Sequence, residues 1–206
     1  MTPHAGTRVP AFAGAVLCGG ASRRMGADKA QLQLQGRALA LRVADALAAA
    51  GAGRITAIGG DAAALRGLGL EVVPDLYPGE GPLGAVLTAL HAMADEADLV
   101  AVLACDLVRP DPETIRAVAA YASAEDVDVA APLVDGWRHL HHAVWHARAR
   151  FALQAAYDRG ERAPRRAIAG LRVGDVLGVD AARVGDADDP DELAAARATL
   201  EIGPDG

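Results

Sequence analysis

Short apolar runs alternate along this chain with stretches whose apolar residues return every third or fourth position. Residues 13–16 form the first run, which reads as a strand. Leu39, Val43 and Leu47 then repeat at helical spacing, and Gly51-Ala52-Gly53 stops that helix after Ala50. Residues 54–58 read as a second strand. Gly59-Gly60 and a helical turn through Leu65 follow, then a third strand at 71–73 that ends at Pro74-Asp75. A loop rich in glycine and proline, 76–81, leads to Pro82, which suits the first turn of a helix running to about residue 95. Residues 99–104 are nearly all apolar, as a strand buried on both faces should be. A helix at 112–122 and a strand at 127–133 complete the regular part.

From Asp135 the pattern changes. Residues 141–146 read as a strand crossing near the strand ends, 151–157 as a helix broken by Gly160-Glu161-Arg162, 164–169 as a short helix and 171–179 as a strand. Asp189 can cap a last helix, to about residue 200, with Pro190 at its first position. Alternating strands and helices predict an α/β domain: a mostly parallel central sheet with helices on both faces. Ligands then bind beyond the carboxyl ends of the strands. Residues 11–201 are expected to form one domain, with 1–10 a loose N-terminal tail and 202–206 a C-terminal one.

Composition narrows the picture. The 206 residues are 52% hydrophobic and only 3% aromatic, so the core is aliphatic and helix-rich. A net charge of −7 with no basic stripe argues against nucleic acid as a partner. The two cysteines, Cys18 and Cys105, lie in apolar runs and form no C-x-x-C pair, which favours buried thiols in a reducing cytoplasm. Val16-Leu17-Cys18 superficially resembles a lipoprotein cleavage site, but the leucine beside the cysteine and the segment before it are wrong for one. No run approaches the roughly 20 apolar residues that span a bilayer.

The chemistry concentrates after the first strand, in Leu17-Cys18-Gly19-Gly20-Ala21-Ser22-Arg23-Arg24-Met25-Gly26-Ala27-Asp28-Lys29. Two glycines permit a sharp turn and close backbone approach to a ligand, and successive N–H groups there can cradle an anion. Ser22, Arg23, Arg24 and Lys29 add donors and positive charge that suit a triphosphate. Neither G-x-x-x-x-G-K-[ST] nor G-x-G-x-x-G fits the spacing, and an ordinary glycine turn with solvated basic residues is the competing reading.

The string as a whole resembles L-A-G-G-x-S-x-R-M-G-x-D-K, the signature of nucleotidyltransferases and most closely of the molybdenum cofactor guanylyltransferase family, with Cys18 in place of alanine. The resemblance covers about residues 13–198 and weakens after Asp106. It implies a Rossmann-like three-layer nucleotidyltransferase fold. Its loop would hold nucleotide through Leu17, Cys18, Gly19, Gly20, Ser22, Met25, Gly26 and Lys29, with Arg24 and Lys29 neutralising charge during transfer. The implied reaction joins GMP from GTP to molybdopterin and releases pyrophosphate.

Asp106 ends the apolar strand in Ala104-Cys105-Asp106-Leu107-Val108-Arg109-Pro110. Carboxylate oxygens suit Mg²⁺, which a triphosphate attacked at its α-phosphorus needs. The family's metal-binding aspartate lies in C-D-x-P, and the proline is displaced here; a helix-capping aspartate is the alternative. Asp75 and the Gly81-Pro82-Leu83-Gly84 segment resemble the family's nucleotide-binding aspartate and G-P-L-x-G. Asp75 could equally be a turn residue. Asp186 and Asp188 stand where the family has two asparagines, in N-x-N-T-P-E-[ED]-L. Asp188 could be a second Mg²⁺ ligand, or both could form an acidic helix start stabilised by the dipole.

His139, His141, His142 and His146 lack the acid or cysteine that would make a zinc site. Period-two spacing puts His139 and His141 on one face of a strand, and by comparison with the family this stretch lies near the acceptor, so His139 and His142 are candidate contacts or structural residues. Gly160-Glu161-Arg162 resembles a family segment near the pterin, with Arg162, Arg165 and Arg166 candidates for its terminal phosphate. Open alternatives are the cytidylyltransferase sibling, a sugar-phosphate nucleotidyltransferase, and an accessory protein that delivers cofactor without turnover. Molybdoenzymes are candidate delivery partners.

Overall fold

The computed structural model describes residues 10–19, 29–187 and 189–201. The expected tails lie outside these residues apart from Pro10, as do Gly20, Ser22, Arg23, Arg24, Met25 and Gly26 of the glycine loop, and Asp188. In chain order the elements are β1 (Ala13–Leu17), β2 (Gln33–Leu34), β3 (Arg37–Ala38), α1 (Leu39–Ala50), β4 (Ile55–Ile58), α2 (Ala62–Gly67) and β5 (Glu71–Val73). They continue with α3 (Pro82–Met93), β6 (Leu99–Ala104), α4 (Pro112–Ala124), β7 (Val129–Val134), β8 (Trp137–Arg138), β9 (His142–His146), α5 (Ala149–Asp158), α6 (Pro164–Ala167), β10 (Val173–Val176) and α7 (Pro190–Glu201).

The main sheet runs β10-β7-β9-β6-β1-β4-β5, with β8 paired to β7, and β2-β3 forms a separate hairpin. β1 lies parallel to β4 and to β6, with Leu17 opposite Ile58 on one side and Ala104 on the other. Strand alternation divides the core. Val16 and Leu103 pack on one face with Val43 and Leu47 of α1 and Ile115 and Val118 of α4. Ala15, Val100 and Val102 pack on the other with Leu83, Leu87 and Leu90 of α3 and Leu153 of α5. Asp111 caps α4 by accepting from Thr114 N at 2.8 Å. Asp189 accepts from Asp191 N and Glu192 N at 2.9 Å, as its place before Pro190 predicts.

The mostly parallel α/β sheet agrees with the sequence pattern; its exceptions are β9, antiparallel to both β6 and β7, and the short β8, antiparallel to β7. The return from β7 to β9 is too short for a crossover helix, since a parallel connection needs about a dozen or more residues. Asp135 (φ 50°) and Gly136 (φ 80°) turn β7 into β8, and an Asp-Gly pair with both φ positive matches the right-handed strand twist. Residues 139–141 then reverse into β9, with His142 N donating to His139 O at 2.9 Å. His139 and His141 therefore sit in a turn rather than on one strand face. Among the described residues no helix is long and apolar enough to cross a membrane.

Candidate active site

The carboxyl ends of β1 and β6 meet side by side. Cys105 N donates to Leu17 O at 3.1 Å, so the ladder extends one residue past Ala104 and aligns the start of the glycine loop with the turn that carries Asp106. On the other flank of β1, Cys18 N and Gly19 N both donate to Ile58 O, at 2.9 and 3.0 Å. Gly59, at φ 70°, passes so near that a Cβ there would sit 3.1 Å from the Gly19 Cα. That contact is backbone against backbone, which is why a glycine is needed at this position.

Lys29 and Asp106 come together. Nζ lies 2.8 Å from Oδ2, and the side chains are 14% and 15% exposed. The 185–187 segment straps the aspartate's turn: Ala187 N donates to Asp106 O at 3.1 Å, Val108 N to Gly185 O at 3.1 Å, and Leu107 bridges Asp186. Asp186 is thus held beside the turn that carries Asp106.

Asp75 sits on the opposite side of Gly19. Its Oδ1 accepts from Tyr77 N at 2.9 Å and lies 3.0 Å from the Thr88 hydroxyl, which also reaches Gly84 O at 2.9 Å and accepts from Leu76 N at 3.1 Å. Its other oxygen points toward Gly19; a Cβ added there would meet Oδ2 at 3.6 Å. Asp75 is therefore a turn residue through one oxygen and faces the loop with the other. Thr88 was not singled out from the sequence. The signal was there: a lone hydroxyl in the middle of the apolar run PLGAVLTALHAM, which the structure buries fully and where an unbonded polar group would be costly.

Gly81-Pro82-Leu83 opens α3 against the α5–α6 connection, with Leu83 N donating to Arg162 O at 3.1 Å. Arg162 stitches this contact. Its Nε donates to Glu80 at 2.9 Å, its Nη1 donates to Tyr157 O and Glu161 O at 2.9 Å, and the guanidinium lies 4.0 Å over the Tyr157 ring. Arg166 forks onto Glu161, at 2.7 and 2.8 Å, and this pairing with Arg166 is the main cause that holds the Glu161 carboxyl down to about 2. Arg165, in contrast, is exposed, bonds to none of the described residues, and lines a cavity. This separates three arginines that look alike in sequence.

That cavity, of about 300 Å³, lies beyond the ends of β6 and β9; Pro82, Leu107, His139, His142, Arg165 and Asp186 are among its lining residues. His142 is 2% exposed, and its Nε2 has no hydrogen-bond partner. Burial above all, together with the nearby His139, pushes its imidazole down from about 6.5 to about 4, so it is neutral at pH 7. His146, at the far end of β9, pairs with Leu99 and is remote from this end of the sheet. Among the described residues no three His, Cys, Asp or Glu cluster as a metal cage. One carboxylate is nevertheless enough for Mg²⁺, which usually takes one or two protein carboxylates and completes its shell with substrate phosphate and water.

A parallel α/β sheet whose strand ends carry a glycine turn, a lysine–aspartate pair and an adjoining cavity defines a nucleotidyltransferase domain. The family model for the MobA-like NTP transferase domain matches residues 14–175, and the chain belongs to that family. The probable molybdenum cofactor guanylyltransferase of Opitutus terrae is 45% identical over 98 residues, 47% of this chain and 48% of that protein. Its counterpart in Pelotomaculum thermopropionicum is 41% identical over 129 residues, 63% and 58% of the two chains. The molybdenum cofactor guanylyltransferase of Bradyrhizobium sp. is 34% identical over 161 residues, 76% and 74%. The chain thus spans about half the length of the first two. Among solved structures, the molybdopterin-guanine dinucleotide biosynthesis protein A of Archaeoglobus fulgidus has a TM-score of 0.75 at 22% identity, covering 92% of this chain and 98% of that one. The 2-C-methyl-D-erythritol 4-phosphate cytidylyltransferase of Thermus thermophilus has 0.68 at 19%, covering 91% and 98%. These likenesses establish the fold.

Proposed function

We propose that this protein transfers GMP from GTP to molybdopterin and releases pyrophosphate. The observation that carries the reading is the Lys29–Asp106 pair at the joined ends of β1 and β6, beside a cavity with an unpaired arginine. A phosphate oxygen of the acceptor attacks the α-phosphorus. The new P–O bond forms as the bond to pyrophosphate breaks, and both electrons leave with pyrophosphate. The nucleophile is already anionic near pH 7, so no general base is required. The work is positioning and charge neutralisation. Lys29 and Arg24 supply positive charge to the phosphates, Gly19 N–H stays on Ile58 O, and the loop from Gly20 onward supplies backbone donors. Asp106, with Asp188, would hold Mg²⁺, which when bound offsets phosphate charge. Asp75 and the Gly81-Pro82-Leu83 turn flank the nucleotide.

The cavity is the acceptor site in this reading. Arg165 takes over the phosphate-anchoring role there, because Arg162 and Arg166 are already committed to Glu80, Tyr157 and Glu161. His139 and neutral His142 contact the pterin. Arg165→Ala should raise the molybdopterin KM about tenfold and leave the GTP KM unchanged. A cytoplasmic site of action and handover to molybdoenzymes belong to the same reading.

Asp186, an acidic residue where the guanylyl family has asparagine, favours the cytidylyl sibling as second reading. The test is competition between GTP and CTP at equal concentration, with Mg²⁺ and molybdopterin. A predominantly cytosine product would overturn the guanylyl assignment, and nucleotide binding without pyrophosphate release would leave an accessory binding protein.

A further inference from the structure

We infer that a second cavity, beside the first and sharing none of its lining residues, binds a multiply charged phosphate group. It has a volume of about 380 Å³, and Arg42, Arg109, Pro110, Asp111, Asp180 and Arg183 line it. The three arginines come from three separate places: α1, the loop that begins at Asp106, and the turn at residues 181–183. In a chain of net charge −7, three cations around one cavity need an explanation.

The neighbouring carboxylates do not fully answer them. Asp111 pairs with Arg183, but the same oxygen also accepts from Thr114 N at 2.8 Å and Thr114 Oγ1 at 2.7 Å. Asp180 accepts from Ala182 N at 3.0 Å. Asp45, the acid nearest Arg42 on its own helix, is held in a fork by Arg37 at 2.7 and 2.9 Å. Arg42 therefore bonds only neutral groups, Val108 O at 3.1 Å and Gln35 Oε1 at 3.3 Å, and its Nε is buried without a partner. Burial accordingly lowers its pKa, the direction expected of a cation short of compensation. Arg109 is exposed and bonds to none of the described residues.

Forked guanidinium donors match phosphate oxygens two at a time, and a group of charge −2 or more can be shared among several of them. The cavity exceeds the size of a lone phosphate, so its occupant is either a free polyphosphate anion or the phosphoryl end of a larger metabolite. Through the Arg42–Val108 bond, an anion here also acts on the loop that carries Asp106.

The test uses the intact chain and counts sites by equilibrium dialysis with two probes, inorganic pyrophosphate and ribose 5-phosphate. Variants are Lys29→Ala, Arg109→Ala and Arg109→Ala/Arg183→Ala. A pyrophosphate site that survives Lys29→Ala, weakens about tenfold in Arg109→Ala and is lost in the double variant supports the inference. Thermal midpoints of the variants report on folding; Arg109→Ala removes an unbonded, exposed side chain and should leave the midpoint unchanged. Binding of ribose 5-phosphate at the same site identifies a phosphoester ligand, and its failure to bind beside pyrophosphate identifies a free anion. Absence of any site beyond the one Lys29 controls, or unchanged binding in both arginine variants, overturns the inference.

Discussion

Replacing Asp106 with asparagine separates the structural and chemical uses of the site. Lys29 Nζ lies 2.8 Å from Oδ2, with both side chains about six-sevenths buried at 14% and 15% exposure. At an effective dielectric of about 20, two unit charges at this distance attract by roughly 6 kcal/mol, most of it offset by lost hydration. Exposed pairs are worth about 0–1 kcal/mol and breaking a fully buried one costs about 3–5 kcal/mol, so this pair should fall near 2 kcal/mol. For a chain of this length that is about 4–8 °C in Tm. The catalytic loss should be larger, on the order of a thousandfold in kcat, or about 4 kcal/mol of transition-state stabilisation. Urea unfolding gives the first quantity and pyrophosphate release at saturating substrates the second. A folded variant that turns over within about tenfold of wild type would remove Asp106 from the chemistry.

Lys29→Ala should lower turnover, and Lys29→Arg should restore only part of it, because a planar fork does not place charge where a compact ammonium does; normal turnover in the alanine variant would make Lys29 a purely structural partner of Asp106. His142 sets a pH dependence. In the folded state it titrates at about 4 rather than near 6.5, so on acidification the unfolded chain takes up its proton first. Its stability contribution is intact above pH 6.5 and declines between pH 6.5 and 4, by up to about 3 kcal/mol; urea midpoints for wild type and His142→Asn should diverge in slope across that window, and parallel curves would refute the shift. Gly84→Ala would place a Cβ 2.7 Å from the Tyr77 Cβ. That atom cannot swing away, so unfolding titrations should register a loss of about 1–3 kcal/mol, with a raised nucleotide KM because the turn holding Asp75 shifts; wild-type values for both would show that the turn yields freely.

Local order was legible from residue order alone. The 13–16 run, the helix from Leu39 to Ala50 and the apolar 99–104 run each carry their period in their own side chains, and burial of those side chains forces the element. The placement of Asp106 just past the end of an apolar strand was legible too, and the structure has it two residues beyond the last residue of β6. Two hairpin turns, Gln35-Gly36 and Asp135-Gly136, were also readable in principle, since both pairs adopt positive φ; the strands they join are only two residues long on at least one side, too short to show a period. What the sequence could not decide was contact between distant residues. Lys29 meets Asp106 across 77 positions, and Arg162 meets Glu80 across 82. Whether Arg162, Arg165 or Arg166 stays available to a phosphate depends on which acid folds against each one. His139, His141 and His142 look equivalent in a row, yet the reversal into β9 buries one and exposes another. Periodicity reports the environment of one element, whereas pairing and burial of polar groups follow from how elements pack, and only the tertiary structure contains that.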